Sequence, residues 1–167
     1  MALKDALLPE FDAEMANTRK CLERLTDDKF SFKPHGKSWP MGTLASHLAR
    51  IPTWAHYTLA MSELDLAAPQ TPDQNTPFTT TAALLAAFDQ HVAEGRAAIA
   101  GAGDDVMAQP WTLKMGSQVF FTLPKAAVLR TFVFSHTVHH RAQLTIYMRL
   151  NDIPVPGMYG PSADEGM

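Results

Sequence analysis

Ser135-His136-Thr137-Val138-His139-His140-Arg141-Ala142-Gln143-Leu144 lies in the middle of a segment that reads as helix from Pro124 to Asn151. On an α-helix, residues four apart lie one turn apart on the same face, so His136 and His140 project their imidazoles in nearly the same direction. Extending that face gives Leu129, Phe132, Val133, His136, His140, Leu144 and Tyr147, the 3.6-residue pattern of a core-facing helix with two histidines at core positions. Desolvating two imidazoles is unfavourable unless both find partners, and one bound cation would satisfy both. A lone histidine on an apolar stripe is more often a packed, hydrogen-bonded residue, and the His-x-x-x-His spacing also arises by chance. The spacing alone leaves both readings standing.

Working outward, the chain reads as four long amphipathic segments. Leu3, Leu7, Phe11, Met15, Thr18, Leu22 and Leu25 mark the apolar stripe of a first helix over Lys4 to Leu25, with Pro9 expected in its first turn. Thr26-Asp27-Asp28 ends it, and Lys29 to Lys37, with Pro34-His35-Gly36, reads as a surface loop. Ser38-Trp39-Pro40-Met41 reads as a helix start, with Ser38 as cap and Pro40 in the first turn. The second helix then carries Leu44, His47, Leu48, Ile51 and Trp54 on one stripe toward Met61, which places His47 on its buried face. Pro52 removes one helical hydrogen bond and predicts a kink. His56, nine residues past His47, lies about half a turn round the axis and cannot easily share its site.

Pro69, Pro72 and Pro77 make Ala67 to Pro77 a loop. Thr79-Thr80-Thr81 offers a cap for a third helix over Ala82 to Ala100, which carries His91 on an ambiguous face and ends at Gly101-Ala102-Gly103. Trp111 to Leu123, with a Gly116-Ser117 turn, reads as a small β-hairpin inserted before the last helix. The prolines after Asn151 predict an irregular tail, with Ser162-Ala163-Asp164-Glu165 trailing off as an acidic end. The expected fold is all-α, a four-helix bundle with a hairpin insert, in a single domain spanning residues 1–167.

Composition narrows the function. A net charge of -3 and scattered basic residues give no footprint for nucleic acid. No apolar run reaches the length of a membrane span, and Met1-Ala2-Leu3-Lys4-Asp5 lacks the pattern of a signal peptide, so a cytoplasmic location without membrane contact is expected. The one cysteine, Cys21, excludes an internal disulfide and reads as a packed residue. Bundle cores host metal sites built from facing helices, and His47 is the natural third nitrogen beside His136 and His140. Three ligands plus solvent describe an open, catalytic type of site.

Three stretches carry a resemblance: Met41-Gly42-Thr43-Leu44-Ala45-Ser46-His47-Leu48-Ala49, then His136-Thr137-Val138-His139-His140-Arg141-Ala142-Gln143-Leu144, then Pro156-Gly157-Met158-Tyr159-Gly160-Pro161-Ser162-Ala163-Asp164-Glu165. In order and spacing the chain resembles the DinB/YfiT-like family of metal-dependent bundle proteins, departing from it at Ala142, where the family usually has Gly. The resemblance implies an up-down-down-up bundle, often homodimeric, with metal ligands at His47, His136 and His140 and zinc, nickel or iron as the divalent ion. It also implies thiol-dependent chemistry on a small-molecule substrate, through a low-molecular-weight thiol such as bacillithiol, mycothiol or glutathione. A thiol S-transferase-like enzyme is therefore the first expectation. A metal-dependent hydrolase and a non-enzymatic protein whose metal stabilises the bundle or a dimer are the alternatives. Gln143, Tyr147 and His139 are candidates for residues that support the ligands, each with a plain packing role as the competing reading. Arg141, rotated about 100° from His140, is expected in a salt bridge or subunit contact. His35, His56 and His91 have no assigned role.

Overall fold

Residues 2–69 and 76–166 are described by the computed structural model of the chain. The first long helix, α1, spans Leu3–Leu22, and Pro9 lies inside it. Its position differs from the expected first turn: the helix starts one and a half turns earlier, capped by the reciprocal pairing of Ala2 and Asp5, so only the one backbone bond that Pro9 cannot donate is missing. After a short 3₁₀ turn at Asp27–Lys29, α2 spans Met41–Arg50. Pro40 stands at the cap position and Ser38 does not cap. The free first-turn amides are satisfied from the preceding loop instead, Met41 N–H donating to the Phe32 carbonyl (2.9 Å) and Gly42 N–H to that of Phe30 (2.9 Å).

At Pro52 the helix breaks outright instead of kinking as expected: a turn at Ile51 and Pro52, where proline removes the continuing backbone bond, separates α2 from α3, Thr53–Ala60. Helix α4 runs Thr81–Gly101, its start capped by the Thr80 hydroxyl accepting from Ala83 N–H. Between α3 and α4 the expected loop passes through residues 70–75, including Pro72, which lie outside the described residues. A four-residue turn of helix, α5 (Asp104–Met107), leads into the hairpin of β2 (Pro110–Met115) and β3 (Gln118–Pro124), with Gly116 at the positive φ of 60° that the turn demands. The hairpin is part of a three-stranded sheet: β1, Glu63–Asp65, pairs in parallel with β2 and was not anticipated, because three residues are too few to show alternation.

The last long segment also departs from expectation. It is built of α6 (Lys125–Val128), a π-helical stretch Leu129–Ser135 and α7 (His136–Arg149). A π-helical turn holds more residues than an α-turn, so it rotates everything that follows about the axis. The buried positions become Leu129, Val133 and Phe134, then Thr137, Arg141, Leu144, Tyr147 and Met148. His136 and His140 therefore leave the core positions that an uninterrupted stripe gave them and stand half-buried at its edge.

α1 packs against α4 and α7, and α2 packs against the same two helices, so α1 and α2 stand at opposite corners of the bundle. The main core fills the space between them with Phe11, Leu22, Met41, Leu44, Leu48, Phe88, Ile99, Phe134 and Leu144. A smaller core of Trp111, Leu113 and Val128, packed with Trp54, Phe121 and Phe132, seats the sheet against α3 and the π-helical stretch. The acidic end does not trail away. Glu165 pairs with Arg24 and accepts Gly157 N–H (2.8 Å), while Asp164 pairs with Arg149 (2.7 Å) and accepts Val155 N–H (2.8 Å). No helix among the described residues is long and apolar enough to cross a membrane.

Gly95 marks the closest approach of α4 to the break at Pro52: a Cβ there would lie 2.6 Å from the Pro52 carbonyl oxygen and 3.3 Å from the Phe11 ring. Helix propensity favours alanine over glycine by about 1 kcal/mol. A clash with fixed backbone costs about 1–3 kcal/mol and outweighs it. Gly95→Ala is therefore expected to lower the urea midpoint, and a raised midpoint would show that the two helices can part freely.

Candidate metal centre

Helix α2 brings His47 against α7, where the imidazoles of His136 and His140 stand one turn apart. The three rings converge through their Nε2 atoms: His136 lies 3.3 Å from His47 and 2.8 Å from His140. Ring centroids are 4.6–5.0 Å apart, and one ligand nitrogen from each ring falls within 4.8 Å of the other two. Two ligands at about 2.05 Å from a shared ion with tetrahedral angles would be about 3.3 Å apart, the separation of His47 and His136, while His136 and His140 stand a little closer than that.

The tautomers suit the same arrangement. Nδ1–H of His140 donates to Gln143 Oε1 (2.8 Å), an atom that can only accept, and the ring of His136 hydrogen-bonds the Phe132 backbone one turn back. Each bond holds the proton away from the nitrogen that faces the other rings. Converging Nε2 lone pairs repel unless a proton or a cation lies between them, and the donor set fits a cation.

Burial makes all three rings poor bases. His47 is pushed down to about 4, first by burial and then by the charges of His140, His136 and Arg50. Burial is also the main cause lowering His136, with His140 next and the Phe132 bond opposing. His140 is lowered by burial, with its bond to Gln143 opposing. The triad is thus neutral near pH 7, the state in which imidazole is a ligand.

Of the residues expected to support it, Gln143 is in contact with His140 as described. Tyr147 is not: its hydroxyl donates to the Trp39 carbonyl (3.2 Å), so it holds the loop before α2 and not a ligand. His139 is exposed, with its ring 4.9 Å from that of His140. His56 is exposed against Tyr57, and His35 is exposed, its Nδ1 accepting Lys37 N–H (3.1 Å).

Trp39 is the neighbour that the sequence did not single out. It stacks on His140 (6.0 Å between centroids, 21° between planes) and meets His47 edge-on (5.3 Å). Its one signal was its place beside Pro40 at a helix start. His91 returns as well, because it lines the same cavity as His47.

Among the described residues three cavities touch the triad, the smallest, of about 300 Å³, at His136 beside Phe132 and His139. One of about 450 Å³ touches His140 and is walled by Trp39, Gln143, Tyr147 and Lys37; one of about 710 Å³ touches His47 and extends along α3. A helical bundle with three neutral imidazoles converging beside open cavities is the class of protein that the fold and site define. The chain belongs to the DinB family, whose model matches residues 1–166. It is 28% identical over 165 residues to the uncharacterized protein YrdA of Bacillus subtilis (strain 168), covering 96% of this chain and 90% of YrdA. Among solved structures it is similar to a DinB-like protein from Bacillus cereus ATCC 10987, with TM-score 0.74, 21% identity, and 95% and 98% of the two chains covered. It is also similar to YfiT from Bacillus subtilis, described as a probable metal-dependent hydrolase with an unusual four-helix bundle topology, with TM-score 0.67, 16% identity, and 90% and 89% covered.

Because the folded rings bind protons less readily than the unfolded chain, whose histidines titrate near 6.5, the unfolded state takes up more protons in the window below that value. For metal-free protein, stability is expected to fall as pH drops from about 6.5 toward about 4, and to be fully present above it. Denaturant melts at intervals across that window check this, with His47→Gln flattening the slope. An unchanged slope would contradict the assignment of the titration to the triad.

Proposed function

We propose that His47, His136 and His140 hold one divalent metal ion and that the protein is a metal-dependent enzyme which activates a small thiol for attack on a small electrophile. The observation that carries this reading is the convergence of three half-buried imidazole nitrogens with room for a reactant on each side. Three protein ligands leave a coordination position open, which is the arrangement of catalytic and not of closed structural sites. When bound, the ion supplies a positive charge that lowers the pKa of a thiol or water at that position, so that the nucleophile exists near neutral pH. Zinc, nickel and iron all suit imidazole donors.

The chain's own part is preparation. Burial keeps protons from competing for the three nitrogens, Gln143 and the Phe132 backbone fix two ring orientations, and Trp39 covers one face of the pair His47 and His140. Group transfer from thiol to electrophile needs two binding places, and the cavities beside His140 and His47 supply them. Activation of water, which would make the protein a hydrolase, is the second reading, and the likeness to YfiT favours it. An up-down-down-up order and a homodimer also belong to this proposal; the diagonal placement of α1 and α2 supports the order, and the family resemblance supports the dimer.

Purified protein is expected to carry one metal per chain by elemental analysis, and His140→Ala to lose it. Gln143→Leu, which removes only the orienting hydrogen bond, should weaken metal binding by about 10–100-fold. A chain that holds no stoichiometric metal even after zinc or nickel is added would sink the proposal.

Turnover then separates the readings. Metal-loaded protein is expected to conjugate glutathione or bacillithiol to a chloronitrobenzene and to leave p-nitrophenyl esters intact when thiol is absent. Ester cleavage without thiol would install the hydrolase reading. A lower melting temperature on metal removal, with no turnover of either kind, would leave the ion a structural role.

A further inference from the structure

The cavity of about 450 Å³ beside His140 joins apolar walls to a set of hydrogen-bond donors. Trp39, Ile146 and Tyr147 supply the apolar surface, and the volume lies in the range that takes a small organic ligand. Trp39 is 48% exposed, yet its carbonyl is fixed by the Tyr147 hydroxyl and its ring stacks on His140. A large aromatic side chain held in place with half its surface uncovered is a platform for a flat group.

The polar groups of the cavity divide into engaged and free. The Tyr147 hydroxyl is engaged by the Trp39 carbonyl (3.2 Å), and Nδ1–H of His140 by Gln143 Oε1 (2.8 Å). The second bond occupies the acceptor of the Gln143 amide and leaves its two N–H donors. Among the described residues Lys37 Nζ, Ser38 Oγ and Gln143 Nε2 make no hydrogen bond or ion pair. No carboxylate lines the cavity, so the ammonium of Lys37 has no counter-charge there. Lys33, four residues earlier, donates instead to the Gly36 carbonyl (3.4 Å), which leaves Lys37 as the cation of the cavity.

Free donors, one positive charge and an aromatic platform call for accepting oxygens, one negative charge and a flat apolar body. A single ammonium matches a carboxylate or sulfonate better than a phosphate dianion. We infer that the cavity beside His140 binds a small, singly charged oxyacid on a flat apolar body, its oxygens on Lys37, Ser38 and the Gln143 amide and its body against Trp39. Gln143 ties this cradle to the metal centre, because the same amide orients His140. The inference rests on the metal-enzyme reading only for the ligand's role as a reactant.

Titration of metal-free full chain with 4-nitrobenzoate and 4-nitrobenzenesulfonate, beside neutral nitrobenzene, tests this by calorimetry and by quenching of tryptophan fluorescence. Saturable binding of both anions is expected. Lys37 and Trp39 are exposed, so substitutions there leave the fold intact. Lys37→Gln should weaken the anions about three- to fivefold and Lys37→Glu at least about tenfold, with nitrobenzene indifferent to both. Trp39→Phe should abolish the quenching while the heat of binding persists, since Trp54 and Trp111 belong to the cluster under the sheet. Absence of anion binding in protein that takes up zinc would overturn this inference and leave the metal reading intact. Binding that survives Lys37→Glu, quenching that survives Trp39→Phe, or a preference for 4-nitrophenyl phosphate would overturn it equally. Lys37-dependent binding in a chain that never holds metal would support the cavity's assignment and remove the metal reading instead.

Discussion

The guanidinium of Arg141 sets the rotation of α7, and the site depends on that rotation. It is 1% exposed and joins α7 to α1 and to the tail. Nη1 donates to the Glu14 carbonyl (2.9 Å) and to Thr18 Oγ1 (3.1 Å), while Nη2 pairs with the Glu14 carboxylate (2.6 Å) and bonds the hydroxyl of Tyr159. Tyr159 in turn donates to Glu14 (2.7 Å), closing a small network between α1, α7 and the tail. A buried charge left without its partner costs about 3–5 kcal/mol, so α7 cannot turn about its axis without a large loss. With Arg141 facing α1, the residue before it, His140, is held about 100° round the helix, toward α2.

Two irregularities complete the placement. The π-helical stretch Leu129–Ser135 lets one helix serve two faces, Val128 and Phe132 meeting the sheet while Thr137 and Leu144 meet the main core. The break at Pro52 turns α3 away from α2, so that α3 can lie under the cavity while His47 stays with the other histidines. Neither is needed to build a bundle. Both are needed to bring three imidazoles together beside open space. The tail, fastened by Arg24, Arg149 and Arg141, closes the far side of the same helices.

How much of this the sequence carried follows from the range of each interaction. His136 and His140 were legible because their relation is one helical turn, and His47 because its stripe is unbroken for ten residues. The hairpin announced itself through Gly116-Ser117, and the break through Pro52. The exact facing of α7 was not legible, because a π-helical turn has no compositional mark and shifts a stripe by one position. Arg141 was expected in a salt bridge, but its partners Glu14 and Tyr159 lie 127 and 18 residues away and nothing local names them. Strand β1 is too short to alternate, Trp39 read as part of a helix start, and the contribution of Tyr147 to Trp39 depends on a contact across 108 residues. Long-range pairings account for Arg141 and Trp39, and local features without a compositional mark account for the π-helical turn and β1.

The central claim is that three neutral imidazoles on α2 and α7 form an open metal site. X-ray absorption at the zinc edge of the zinc-loaded protein tests it most directly. Three nitrogen scatterers with imidazole signatures are expected at about 2.0–2.1 Å, with one further light-atom ligand that exchanges when a small thiol is added. A closed shell of four protein ligands, or a coordination sphere unchanged in His47→Ala, would contradict it.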